Sequence, residues 1–92
     1  MNKREREEIK LLINALFAPS NTYHRYSSYG LKSIFEELLE TYISNDDFKQ
    51  IMGECGFYGT NEQNKRYKIQ VRHHPQVNSV FWDNGGKTFY KQ

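Results

Sequence analysis

Residues 27–57, SSYGLKSIFEELLETYISNDDFKQIMGECGF, decide how this chain folds. Leu31, Ile34, Phe35, Leu38 and Tyr42 recur at steps of three and four, which places them on one side of a helix and predicts that this side is buried. Ser27 or Ser28 is the expected cap at its start. Ser44 then opens a second helix: its hydroxyl is placed to accept from an orphan backbone amide, with Asp47 at the third helical position to answer it. Ile43 and Phe48 fall at the two positions of a hydrophobic staple, and Asp46 and Asp47 face the positive end of the helix dipole. Phe48, Ile51, Met52 and Cys55 form the buried stripe, and Gly56 suits a left-handed C-terminal cap. The spacing predicts two helices joined by a tight turn, in the manner of a helix-turn-helix.

Working outward, Ile9, Leu12, Ile13, Leu16 and Phe17 mark a helix before this pair, stopped by Pro19, Ser20 and Asn21. The connector NTYHRYSSYG carries Tyr23, Tyr26 and Tyr29, which either pack a turn on the core or form an exposed recognition surface. Beyond Phe57 the period becomes two. Tyr67, Ile69 and Val71 alternate with Lys68, Gln70 and Arg72, a half-buried strand with a basic outer face. Val77 to Trp82, the turn signal Asp83, Asn84, Gly85, Gly86, and Lys87 to Lys91 read as a hairpin. The expectation is one α+β domain over residues 1–92: three helices followed by a small antiparallel sheet or hairpin, winged-helix-like. A less standard α+β arrangement with helices packed on a small sheet fits the same order.

The chain has 92 residues and a net charge of +2, enough for one modest core. No run of about 18 apolar residues occurs, so no membrane-spanning helix is expected. Cys55 is the one cysteine and has no internal partner for a disulfide, which favours an intracellular, reducing compartment such as the cytoplasm. The charge is segregated. Residues 31–57 hold two lysines against six carboxylates, a net −4, whereas residues 58–92 hold six cations against two carboxylates, a net +4. Such a two-sided field orients a charged partner as it approaches.

Catalytic and metal signals are thin. His73 and His74 are adjacent in an extended segment, so they point to opposite faces, and with His24 and Cys55 they make no zinc spacing. No metal or other cofactor is expected. Arg66, Tyr67, Arg72, His73, His74 and Tyr90 supply the residue types of a metal-free ribonuclease, but no acid and base stand at a telling spacing. Non-enzymatic function is the expectation. Gly85 and Gly86 suit a hairpin better than a phosphate loop.

Two surfaces compete for a partner. The second helix of the pair presents Asn45, Asp46, Lys49, Gln50, Gly53 and Glu54 outward, an acidic face that phosphates would repel from a major groove. The strand face of Lys65, Arg66, Lys68 and Arg72, with Lys87 and the aromatics Trp82 and Tyr90, is the candidate for a nucleic-acid backbone or single strand. Its other reading is a charged edge that merely deters aggregation.

The run from Tyr29 to Phe57 resembles a segment of small uncharacterised proteins of phages and conjugative elements of Gram-positive bacteria. In those proteins a YGLK helix leads to a YxSN turn, a helix with an early Phe, and a Gly-aromatic pair; here these are Tyr29 to Lys32, Tyr42 to Asn45, Phe48, and Gly56 with Phe57. Asp46 and Asp47 depart from the small residue expected at that turn. Some proteins of this kind resemble anti-CRISPR proteins. The resemblance implies an inhibitor of a bacterial defence complex such as a CRISPR effector. The charge pattern adds an expected contact surface: Glu36, Glu40, Asp46, Asp47 and Glu54, acting in place of phosphates in a basic channel. The alternative is a winged-helix-like regulator binding DNA or RNA through its basic strands.

Overall fold

The computed structural model describes residues 1–72. The expected hairpin of residues 77–91, and with it His73, His74, Trp82, Lys87 and Tyr90, lies outside the described residues. The elements run α1 (Lys3–Leu16), β1 (Phe17–Pro19), α2 (Ser28–Leu39), α3 (Asn45–Glu54) and β2 (Ile69–Val71), an α+β arrangement.

Each helix end has a local cause. Asn2 and Glu5 form a capping box at the start of α1, the Asn2 side chain accepting from the Glu5 amide at 2.8 Å and the Glu5 carboxylate from the Asn2 amide at 3.2 Å. At α3 the Ser44 hydroxyl accepts from the Asp47 amide at 3.0 Å, and the staple residues Ile43 and Phe48 are both fully buried. Gly56 adopts φ 91°, open to glycine and strained for other residues. The amides of Gly56 and Phe57 return to the carbonyls of Gly53 and Met52, at 3.0 and 2.9 Å, which completes a Schellman motif.

Two expectations are corrected. The first helix stops at Leu16, and Phe17 begins a strand, because Pro19 has no amide to continue a helix and biases Ala18 toward extended backbone. β1 then pairs antiparallel with β2, Phe17 opposite Val71 and Pro19 opposite Ile69. The strand read over residues 67–72 is thus shorter, and its described neighbour is β1. Second, α2 ends at Leu39, where Glu40 turns left-handed at φ 53°. That turn swings Tyr42 off the buried stripe, leaving it 76% exposed, and hands its place in the core to Ile43.

The core gathers Ile9, Ile13 and Leu16 of α1, Phe17 of β1, Leu31, Ile34 and Phe35 of α2, Phe48, Ile51 and Met52 of α3, and Tyr67, Ile69 and Val71. Phe35 is central. Its ring lies 5.8 Å from Phe17 and 5.3 Å from Phe48, the latter edge-to-face. Cys55 is half-buried against this core, and burial pushes its thiol pKa up. No helix among the described residues is long and apolar enough to cross a membrane.

Candidate nucleic-acid interface

The connector between β1 and α2 is held along β2 and the residues before it by backbone hydrogen bonds. Ser20 donates to Lys68 at 3.0 Å, His24 to Tyr67 at 2.8 Å and Ser28 to Lys65 at 2.7 Å. Ser28 is fully buried, and its hydroxyl both donates to Asn45 Oδ1 at 2.8 Å and accepts from the Lys65 amide at 3.0 Å. One hydroxyl therefore joins the starts of α2 and α3 to the approach to β2. Ser27 is the N-cap residue by position, but its side chain makes no capping bond.

This zipping carries Tyr23 beside the residues that lead into β2. There the Arg66 guanidinium lies 5.1 Å and the Lys68 ammonium 5.2 Å from the Tyr23 ring centroid. Both cations are exposed and Tyr23 is half-exposed, so two positive charges and an aromatic ring share one patch. Arg72 is exposed farther along the strand, its amide bonded to Leu16 O at 2.6 Å and its Nε to Phe17 O at 3.4 Å. Lys65 is half-buried and folded back on Thr60 O at 2.6 Å, which leaves it less available than its neighbours. Lys87 lies outside the described residues. The structure thus brings Arg66 and Lys68 together and separates Lys65 from them in role.

The three connector tyrosines divide between the two readings. Tyr23 and Tyr29 are exposed, whereas Tyr26 packs against the core. His24 Nδ1 accepts from the Tyr26 amide at 3.1 Å. Burial, and then the neighbouring Arg25 charge, push the His24 pKa below its ordinary value.

The outward face of α3 is already engaged. Asn45 Nδ2 donates to Gln63 O and Asn64 Oδ1, at 3.2 and 3.0 Å, and Lys49 Nζ donates to Gln63 O at 3.0 Å. Two of the polar groups that a base-reading helix would present hold the loop before β2 instead. Asn45 and Lys49 are thereby turned toward residues 63–64, and Asp46 at the start of α3 stays exposed.

The acidic set is not one continuous free surface. Glu54 bonds Arg6 at 2.7 Å and Lys10 at 2.9 Å, clasping α3 to α1; the hydrogen bond from Lys10 and then that from Arg6 hold its carboxyl below the usual range. Glu36 pairs with Lys32 at 3.2 Å and accepts the Ile43 amide at 2.8 Å, fastening the turn between α2 and α3. Asp46 is exposed but pairs with Lys49 at 3.3 Å. Glu40 is exposed at the end of α2 and Asp47 half-buried at the start of α3, so Glu40, Asp46 and Asp47 flank one turn. Glu54 stands at the other end of α3, roughly 13 Å along a ten-residue helix.

A cleft of about 430 Å³ opens beside the basic patch, lined by Pro19, Tyr23, Gly56, Phe57, Tyr58, Gly59, Thr60, Tyr67, Lys68 and Ile69. Tyr58 stands 81% exposed at its wall. Tyr67 is buried, and its hydroxyl has no hydrogen-bond partner among the described residues. Burial pushes that phenol up to about 12. Gly59 approaches so closely that a Cβ there would meet Arg66 O and Lys65 Cβ at 2.9 Å. Sequence reading anticipated the cations and offered Tyr23 as part of a recognition surface, but not its convergence with Arg66 and Lys68, nor Tyr58. Among the described residues no three His, Cys, Asp or Glu side chains are grouped to hold a metal ion. Compared with protein-family models, curated proteins and solved structures, the chain matches none.

Proposed function

We propose that the protein is a non-enzymatic nucleic-acid-binding regulator of winged-helix-like build, acting in the bacterial cytoplasm through the basic segment that leads into β2. The observation that carries this reading is the convergence of Arg66 and Lys68 on the Tyr23 ring. Cations beside a stacking surface are what a flexible phosphate backbone and its bases require. The element order, with a strand between α1 and α2 and a second strand after α3 flanked by Arg66, Lys68 and Arg72, supports the winged-helix comparison. Replacing Arg66 and Lys68 together by alanine is expected to weaken single-stranded DNA binding about 10- to 100-fold at low salt, with a salt slope shallower by about 1.4. Fluorescence anisotropy with a labelled oligonucleotide across a salt series measures both. An unchanged slope would sink the proposal.

A second reading has its own observation. Lys32 is buried beneath two exposed tyrosines, its ammonium 4.6 Å from the Tyr29 ring centroid and 5.7 Å from that of Tyr42. Exposed aromatic side chains held by a buried cation suit a protein partner, and Tyr42 belongs to the turn that Glu40, Asp46 and Asp47 flank. This favours an anti-CRISPR-like inhibitor of a bacterial defence complex such as a CRISPR effector, with the basic patch serving another purpose. Reversing Asp46 and Asp47 to lysine is then expected to abolish capture of a purified effector complex in a pull-down at fixed salt. Undiminished capture would remove the acidic turn from the contact.

A further inference from the structure

We infer that the cleft beside the basic patch is a pocket for one unstacked nucleobase of a single-stranded nucleic acid, whose backbone runs over Arg66 and Lys68. The inference rests on the nucleic-acid reading and deepens it by naming the bound form of the substrate. Three observations meet there. The cleft, about 430 Å³, falls within the usual range of small-molecule sites, and its walls include the aromatic rings of Tyr23, Phe57 and Tyr58. Lys68 lines it and Arg66 shares the Tyr23 ring with Lys68, so positive charge stands at its rim where a phosphate joined to a bound base would lie.

The third observation is Tyr67. Its side chain is 1% exposed, it lines the cleft, and its hydroxyl has no partner among the described residues. An orphan buried hydroxyl costs free energy, and because this one has under 1 Å² of accessible surface, a ligand's polar edge recovers that cost only by shifting the wall that covers it. Tyr58 contributes differently. At 81% exposure its ring contributes little to the core, yet it stands at the cleft wall, where a base could stack on it. Duplex DNA keeps its bases stacked and paired, so a pocket of this kind selects single strands, loops or frayed ends.

The test uses the full chain and a short deoxythymidine oligonucleotide, read by anisotropy, with a second oligonucleotide in which one central nucleotide is abasic. Tyr58→Ala is expected to weaken binding of the intact strand about tenfold while leaving the salt slope unchanged. The abasic strand should bind the natural protein about as weakly, and Tyr58→Ala should weaken it no further. Tyr67→Phe should reduce discrimination among the four homopolymers without altering the slope. If Tyr58→Ala and Tyr67→Phe both bind the intact strand like the natural protein while the Arg66 and Lys68 double variant still loses affinity, the base pocket is overturned and the nucleic-acid reading stands. If the natural protein binds no oligonucleotide at low salt, both fall. Circular dichroism of each variant separates lost binding from lost folding.

Discussion

Phe35→Ala is expected to lower the stability of the fold by about 3–5 kcal/mol, the range for deleting a buried aromatic ring. The ring is fully buried and sits between Phe17 of β1 and Phe48 of α3, with centroids 5.8 and 5.3 Å away. Its loss combines the transfer free energy of the side chain with a cavity that three different elements would have to collapse to fill. Against a total of roughly 5–15 kcal/mol for a domain, that is a large fraction. Urea unfolding followed by far-ultraviolet circular dichroism should show the midpoint falling with the slope unchanged. A loss below about 1 kcal/mol would mean that Phe35 does not bridge the helices to the strand.

Ser28→Ala is expected to cost about 2 kcal/mol, far more than removing a hydroxyl usually does. Its fully buried oxygen donates to Asn45 and accepts from the Lys65 amide, so deletion removes the partner of two groups at once at a part-buried junction. Ser33→Ala is the control, because its hydroxyl only back-bonds to the Tyr29 carbonyl at 2.9 Å on the same helix. That change should stay within about 0.5 kcal/mol. Chemical denaturation of both variants reads the contrast, and equal effects would mean that the Ser28 junction carries no special weight.

What was legible in the residues depended on how local the cause is. The start, staple and stop of α3 were all readable because Ser44, Ile43, Phe48 and Gly56 act within a few positions of one another. The end of α2 was not. Its apolar period runs on to Tyr42, and nothing beside Glu40 announces a left-handed residue there. β1 was hidden for a different reason: Phe17 continues the spacing of α1, and the partner that makes it a strand arrives only near Val71.

The candidate site follows the same division. Alternation along Tyr67 to Arg72 announced an exposed basic face, and the burial of Tyr67, Ile69 and Val71 agrees with it. The Tyr23 platform depends on backbone bonds between residues 20–28 and 65–68, which no spacing encodes. Glu54 looked like part of an acidic surface because Arg6 and Lys10 lie on another helix. Charge summed along a segment cannot distinguish a carboxylate facing solvent from one facing a cation across an interface.

The pairing of β1 with β2 has a topological consequence. Phe17 and Arg72 are in hydrogen-bond contact although 55 positions apart, so α2 and α3 lie within a loop that the two strands close. Loop-closure entropy grows only as the logarithm of length, about 0.6 kcal/mol for each doubling. Closing the segment between Pro19 and Ile69, which holds two whole helices, therefore costs only about 2 kcal/mol more than closing a four-residue turn. The strand pair acts as a clasp, and lengthening the helical segment between its halves adds to that cost slowly.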